Sequence, residues 1–482
     1  MKIYDLIIIG AGVVGTAIAR ELSCYKLNIA VLEKEQELAF GVSKSNSGII
    51  HPGTQNHPDS LKGKLCVQGN KLIRKIARQL GVDFKQIGEL IVAFKQEDIP
   101  QLHELKAQAK KLGVRKIKIV NQTWLRKHEP NISPDAVAAL YAPTAGIISP
   151  YRLTYDLAEN AMANGVEIFT LQKVVTITSE SHNDLGKSFL IKTLSTEFRA
   201  RYIINAAGLS ADEIANMVGI SDFKIEPRKG EEFILDKKHK NLTKHLLFPL
   251  PEKNSKGILV IKTADGNTMI GPTAENCADK QDLSTTEEGL QKVLSSAQRM
   301  VPSINQTDII AYFAGLRPVA GDDFIIRHEL SVPSFITVAG IQSPGLTAAP
   351  AIAKMVGRIL KDNGLALKRK WVFKALRKKT IHLFAIPFSK TAKLIKKDPA
   401  YGDIVCRCEM VSAKEIKDAI NRGAKTLDGI KFRTRAQAGR CHGGFCTTRI
   451  MKILSKQTNT PLSEISKKGP GSWVVMEDRA DD

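Results

Sequence analysis

The sequence predicts an α/β chain that opens as a parallel, nucleotide-binding, Rossmann-like fold and closes in a small helical module. Three observations carry this. The N-terminus reads strand, glycine turn, helix; later apolar strands each run into small residues; and near residue 365 the composition changes abruptly, after which four cysteines fall within 41 positions. A chain of 482 residues has room for two or three domains. Its 43% apolar and 25% charged side chains are the balance of an ordinary globular protein.

Residues 4–9, YDLIII, are a β-branched run that reads as a buried parallel strand. Gly10-Ala-Gly12-Val-Val-Gly15 follows at once, then TAIARELSCY at helical spacing. A second strand, NIAVLEK, ends at Glu33, 18 positions beyond Gly15. A dinucleotide needs that order. Gly10 makes the tight turn, Gly12 admits the pyrophosphate, and Gly15 lets helix and strand pack closely. The helix N-terminus then meets the phosphates, and Glu33 accepts hydrogen bonds from the ribose hydroxyls. The bland alternative is a glycine turn without a ligand, but strand, helix, second strand and terminal acid agree against it.

No run approaches the roughly 18 to 20 apolar residues that span a bilayer. The first apolar run is short, preceded by Asp5 and followed by glycines, unlike a signal sequence, so a cytoplasmic location is expected. Seven cysteines, an odd number in a long chain, argue against a disulfide framework.

FAD or NAD is the next choice. SKSNSGIIHPG (43–53) is a polar, glycine-containing loop placed to cover a flavin. Later come IINAAGLSAD (203–212), a strand ending in small residues, and FITVAGIQSPGLTAAPAIAKMVGRIL (335–360), a strand, glycine loop and helix. Strand-like EEFILDK, GILVIKT and NTMIGPT lie between them.

These pieces resemble the D-amino-acid-oxidase-like flavoproteins over residues 1 to about 365. The resemblance rests on the fingerprint with Glu33, NSGIIH (46–51), Ala206-Ala207-Gly208, GPTAE (271–275), Gly315-Leu-Arg317-Pro318 and AGIQSPGL (339–346). The chain looks most like the branch of anaerobic glycerol-3-phosphate dehydrogenase large subunits, with 2-hydroxyglutarate dehydrogenases close by. That resemblance implies a discontinuous Rossmann-like FAD domain built from about 1–84, 146–215 and 316–365. A mixed-sheet substrate domain would come from inserts at about 85–145 and 216–315. It implies FAD contacts from Lys34, from Ser45, Asn46 and Ser47, from Ala207, Gly208 and Gly340, and from the backbone of Val174 at the adenine. Gly345 and Leu346 would open a helix whose positive end faces the flavin and favours its reduced anion.

The implied chemistry is hydride transfer from a carbon bearing a hydroxyl to the flavin. Arg317 is the expected seat of a substrate phosphate or carboxylate, with a structural salt bridge as its bland reading. His51 is the candidate base, or else a structural histidine. Lys62 and Arg228 are further cations. Glu232 departs from the family, which often has an aromatic there. Glycerol 3-phosphate, oxidised to dihydroxyacetone phosphate, is the leading substrate, and a 2-hydroxy acid such as 2-hydroxyglutarate is the alternative. A non-enzymatic, basic nucleic-acid-binding flavoprotein is the remote third reading; no specific nucleic acid is expected.

The net charge of +22 is not evenly spread: residues 1–367 hold 45 basic and 38 acidic side chains, residues 368–468 hold 25 and 7. A linker at 366–403 contains KRKWVFKALRKKTIHLFAIPFSKTAKLIKK (368–397), with 11 basic residues and no acid, interleaved with Trp371, Phe373, Phe384 and Phe388. It can pack on the flavin domain, dock an acidic partner, or rest on the anionic inner face of a membrane; Pro387 interrupts any long amphipathic helix.

Cys406-Arg-Cys408 is followed, after 32 residues, by Cys441-His-Gly-Gly-Phe-Cys446. Between them Ser412-x-x-Glu415 is a capping box, Gly423 closes that helix, and a second helix starts near Thr426. TTRIMKILSKQ forms a helix after Cys446. Four thiolates suit zinc or an iron–sulfur cluster, though the tight C-x-C pair is less usual for zinc, and Gly443 and Gly444 let backbone donors approach sulfides. The pattern resembles the bacterioferritin-associated-ferredoxin-like [2Fe-2S] domain, here 404–468, all-helical, with four rather than two residues inside the second pair. A tail, 469–482, follows. The implied cofactors are FAD and a [2Fe-2S] cluster, and the implied partner is a second flavoprotein or other electron-acceptor subunit. Cys24, Cys66 and Cys277 read as ordinary buried residues.

Overall fold

The computed structural model describes residues 2–182, 186–251 and 256–476; residues 477–482 of the expected tail lie outside the described residues. Ile3–Ile9 is the centre of an eight-stranded sheet. It runs parallel to Ile29–Leu32 on one side and to Glu197–Asn205 on the other, with Glu167–Phe169 beyond Ile29–Leu32. Leu6 and Ile8 pack among the helices Val13–Leu22 and Gly345–Asp362, while Ile7 and Ile9 face a second core with Phe335. Both faces are covered, which is why the strand is a continuous apolar run rather than an alternating one. Each of these side chains contributes about 1.5–3 kcal/mol on burial.

Glu197–Asn205 is shared between two pairings. Its first half pairs antiparallel with Gly186–Thr193, and its last residues run parallel to Phe335–Ala339. The sheet thus gathers strands far apart in sequence, and the turns that follow Ile9, Asn205 and Ala339 share one edge.

The second sheet is mixed and nine-stranded, from Glu275–Asn276 and Glu226–Leu235 at one side to Ala138–Ala142 and Lys118–Asn121 at the other. Its parallel contact joins Leu246–Pro249 to Glu89–Ala93. Ile309–Val319 runs along Glu226–Leu235 in a long antiparallel ladder that sets Arg317 opposite Arg228 and Gly315 opposite Gly230. This register brings the two basic side chains to one end of the sheet.

The linker follows the first domain through its backbone. The Lys26 amide donates to Lys368 O at 2.8 Å, and the Lys370 amide to Cys24 O at 2.9 Å. Arg377 pairs with Asp156 at 3.0 Å and with Glu159. Its aromatic residues do not all take part: Trp371 is 95% and Phe388 87% exposed. The packing reading therefore holds for backbone and Arg377 and fails for these two rings. Pro387 is the N-cap of the helix Phe388–Lys397.

The C-terminal module has its own core of Val411, Ile416, Ile430, Ile450 and Leu454. The capping box forms in full at the start of Ala413–Asn421: Ser412 Oγ accepts from the Glu415 amide, and Glu415 accepts from the Ser412 amide. Thr426 caps Leu427–Thr434, and Cys446 precedes Thr447–Thr458. A short ladder, Ile404–Cys406 with Val411–Ser412, accompanies the helices. Among the described residues no helix is long and apolar enough to cross a membrane.

Candidate active site and cluster module

A cavity of about 800 Å³ lies between the two sheets, entered by the N-terminal turn. Gly10 has φ +103°, and a Cβ there would sit 2.5 Å from Ala206 O. A Cβ at Gly15 would overlap the Gly10 carbonyl, so that helix and turn meet only because neither has a side chain. Gly12, the N-cap, has no side chain to offer the helix, and the Val13 amide donates instead to Ser43 Oγ at 2.9 Å. Glu33 accepts from the Ala11 amide at 2.8 Å and the Glu35 amide at 3.0 Å. Burial raises its pKa against those two bonds. Its carboxylate thus fixes the turn as well as facing the cavity.

The walls bring together most of the expected residues. Gly10, Gly12, Glu33, Lys34, Val174, Ala207 and Gly208 line it, as do Ser45, Asn46 and Ser47, and the helix that Gly345 and Leu346 open begins at its wall. Gly315 has no side chain because a Cβ would meet Ser45 Oγ at 2.6 Å, so the loop lies directly on the second sheet. Gly15 and Gly340 do not line the cavity. Gly15 stands behind the turn, and Gly340, at φ +67°, turns the chain out of Phe335–Ala339.

His51 and Arg317 line the same cavity. The His51 amide donates to Thr347 Oγ1 at 2.9 Å, and its carbonyl accepts from Asn70 Nδ2 at 3.0 Å. The ring lies edge-on to Phe248, with Nε2 3.5 Å from Ser343 Oγ. Burial first, then the charge of Lys256, push its pKa well below 6.5, so the imidazole is neutral at pH 7.

Arg317 donates from Nη2 to Thr273 O at 3.0 Å, and its buried Nη1 has no partner among the described residues. An unmatched guanidinium donor in a cavity is a seat for an anion. Glu232 also has a buried carboxyl oxygen with no partner among the described residues, and burial raises its pKa to about 8, with Arg317 opposing. At pH 7 it is a neutral acid, so it leaves the guanidinium charge uncompensated. Lys62 and Arg228 line the cavity but are engaged: Lys62 Nζ donates to Asp322 O, and Arg228 Nε to Asn276 Oδ1 at 3.1 Å.

Sequence reasoning missed Lys256. Its Nζ donates to Ser343 Oγ at 3.3 Å within the same cavity, and burial lowers its pKa. No spacing marks it; it is a single lysine before the GILVIKT strand.

In the C-terminal module the four thiols converge. Cys406 Sγ is 3.7 Å from Cys408 Sγ, which is 4.0 Å from Cys441 Sγ, and Cys406 and Cys446 share a hydrogen bond. The Cys446 thiol, the backbone amides of Gln437 and Glu409, and the Cys408 thiol face the Cys406 sulfur. The amides of Gly443 and Phe445 face Cys441. A Cβ at Gly439 would sit 2.5 Å from Cys408 Sγ. Among the described residues no group of three or more His, Cys, Asp or Glu stands in single-ion geometry. Thiols with converging amide donors suit a cluster with bridging sulfides. Cys66 is buried as expected, whereas Cys24 and Cys277 are half-buried.

The turn, the split first sheet and the walled cavity define a flavin-dependent oxidoreductase, and the chain belongs to the FAD dependent oxidoreductase family, whose model matches residues 5–359. Residues 404–456 match the BFD-like [2Fe-2S] binding domain. The chain is 42% identical over 475 residues to a glycerol 3-phosphate dehydrogenase of Caloramator mitchellensis, covering 98% of each. It is 31% identical to a mitochondrial L-2-hydroxyglutarate dehydrogenase of Caenorhabditis elegans, covering 73% of this chain and 92% of that one. Its structure resembles dithionite-reduced L-alpha-glycerophosphate oxidase from Mycoplasma pneumoniae with FAD bound, at a TM-score of 0.73 and 33% identity, covering 78% of this chain and 98% of that one.

The residues present fit FAD: a turn that a Cβ would fill, a helix start where Gly12 leaves room for the backbone to approach a phosphate, and a cavity lined from Glu33 to Arg317. The four thiols and their amides fit a [2Fe-2S] cluster.

Proposed function

We propose that the chain oxidises sn-glycerol 3-phosphate to dihydroxyacetone phosphate. The carrying observation is Arg317 Nη1, buried and without a partner among the described residues, in the cavity that holds neutral His51. Arg317 seats the phosphate, and Lys256 adds a second cation. Neutral Glu232 donates a hydrogen bond rather than repelling the anion. A doubly charged phosphate matches this surplus of positive charge better than a single carboxylate does. The glycerol 3-phosphate dehydrogenase relative also matches over 98% of the chain, which supports the same choice.

His51 takes the proton of the substrate hydroxyl at its imidazole, held in place by the Thr347 and Asn70 contacts. Bound FAD supplies the acceptor for the hydride that leaves the same carbon, and the [2Fe-2S] cluster supplies one-electron steps. Glu33, Lys34 and the glycine turn hold the nucleotide half of FAD. Ser45, Asn46, Ser47, Gly345 and Leu346 hold the flavin half, and Val174, Ala207 and Gly208 close the adenine side. Cys406, Cys408, Cys441 and Cys446 hold the cluster. Electrons then leave to a separate acceptor protein, at a cytoplasmic site of action.

A 2-hydroxy acid is the second reading, because an Arg317 guanidinium also suits a carboxylate and the family includes L-2-hydroxyglutarate dehydrogenases. Anaerobic mixing of the holoenzyme with each substrate separates them: glycerol 3-phosphate bleaches the flavin, and bleaching by 2-hydroxyglutarate alone reverses the order.

A further inference from the structure

A second cavity, of about 1350 Å³, opens where three parts of the chain meet: the edge of the nine-stranded sheet, the linker with its helix Phe388–Lys397, and the cluster module at Cys408. It shares no lining residue with the substrate cavity. Phe384, Ile386 and Leu394 of the linker and Met410 of the module are its apolar lining, and Met410 is 49% exposed.

Its rim is cationic, and much of that charge is unmatched. Lys237 pairs with Glu409 at 2.6 Å and Arg440 with Asp236 at 2.6 Å. Lys240, Lys390, Lys393 and Lys397 also line the groove, and among the described residues no carboxylate lies within ion-pair distance of them. The helix that supplies three of them contains four lysines and no acid, and it buries none of its residues. Like charges three and four residues apart destabilise an isolated helix. Among the described residues no carboxylate pairs with Lys390, Lys393 or Lys397 to offset that repulsion, so an anionic occupant is the complement.

Cys408 marks what the groove is for. It is the exposed member of the thiol quartet; Cys406 and Cys446 are buried and Cys441 half-buried. The path from the cluster to solvent therefore runs by Cys408 into the cationic groove.

We propose that this groove is the docking seat of the electron acceptor, a one-electron carrier protein presenting an acidic segment with apolar residues at its centre. The proposal rests on the reading that the four cysteines hold the cluster. Each substrate gives up two electrons and two protons: the electrons reduce two such acceptors in turn, and the protons, one from the hydroxyl and one left when the hydride's electrons move on, go to solvent. A bilayer is the lesser occupant, because it accepts no electron from a groove lined by Cys408.

The test uses the holoenzyme and, as probe, oxidised cytochrome b5, a small acidic haem protein, titrated calorimetrically at low salt. Basic cytochrome c is the control. The groove variant is Lys390→Glu/Lys393→Glu/Lys397→Glu. A matched variant, Lys110→Glu/Lys111→Glu/Lys127→Glu, makes the same charge change at exposed positions away from the groove. The groove variant is expected to weaken cytochrome b5 binding at least tenfold and flatten its salt dependence, the matched variant less than twofold. Binding should protect amides at 386–397 and 408–410 from hydrogen exchange. Equal losses in both variants, cytochrome c bound as tightly as cytochrome b5, or no binding of cytochrome b5 by the unaltered protein overturns the proposal. So does a groove variant that loses binding to phosphatidylserine vesicles while still binding cytochrome b5. Substrate-driven flavin bleaching, measured separately, is unchanged in both variants; its absence in all three proteins would count against the substrate and leave the docking result readable.

Discussion

Glu37 and Arg433 form a buried ion pair at 2.8 Å that ties the nucleotide domain to the cluster module. Glu37 also accepts from the Lys425 and Thr426 amides and from Thr426 Oγ1, at the start of Leu427–Thr434. The Arg433 guanidinium lies 3.8 Å from the centre of the Tyr155 ring. Glu37 stands four residues after Glu33, so one short segment holds both the nucleotide turn and the module.

Removing one partner of such a pair leaves the other charge buried and alone, which costs about 3–5 kcal/mol. Glu37→Ala is therefore expected to release the module without unfolding the flavin domain. Limited proteolysis checks this: the linker 366–403 becomes the preferred cleavage site, while flavin content and bleaching by substrate persist. Gly429→Ala should act in the same way, since a Cβ there would overlap Glu37 Oε1.

Gly10→Ala places a Cβ 2.5 Å from Ala206 O at a φ of +103°. The turn must then move out of the pyrophosphate's path. The purified variant is expected to carry little flavin, read as the ratio of visible to protein absorbance, while the [2Fe-2S] bands remain.

His51 is neutral because burial and Lys256 hold its pKa down. The base form is therefore present at pH 7 and is lost only well below 6.5. His51→Gln should slow flavin reduction by about 10²–10⁴-fold without loss of FAD. In Lys256→Met the second cause disappears, so the acid limb of the flavin-reduction profile should move to higher pH; an unmoved limb assigns that titration elsewhere.

Glu232 is protonated at pH 7 and ionises near pH 8. The carboxylate then competes with the substrate anion for Arg317, so KM should rise several-fold between pH 7 and 9. Glu232→Gln removes that rise. Stability has the matching sign: folding raises this pKa, so the folded chain holds a proton that the unfolded chain has released, and stability falls between the unfolded value and about 8. Glu232→Gln should accordingly raise Tm more at pH 8 than at pH 5.

The N-terminal turn, the capping box at Ser412 and the cysteine quartet were legible because each is local: a few residues at fixed spacing determine the geometry. His51 and Arg317 were legible through motif context. Lys256 was not, since it reaches the cavity through long-range pairing of its insert, and nothing beside it in the chain reports burial. The neutrality of Glu232 depends on the ladder that sets its strand against Ile309–Val319. The linker hid its division of labour for the same reason. Trp371 and Phe388 look like packing residues in sequence, yet backbone bonds and Arg377 do the attaching and leave both rings in solvent. Cys24 and Cys277 read as buried because cysteine usually is, and their half-exposure follows from neighbours that spacing does not encode.

Anaerobic stopped-flow mixing of the holoenzyme with sn-glycerol 3-phosphate tests the central claim most directly. The flavin band is predicted to bleach first and the [2Fe-2S] bands to fade after it, with Arg317→Met raising the substrate concentration needed for half the maximal rate by at least tenfold. No bleaching by glycerol 3-phosphate, with rapid bleaching by L-2-hydroxyglutarate, would contradict it.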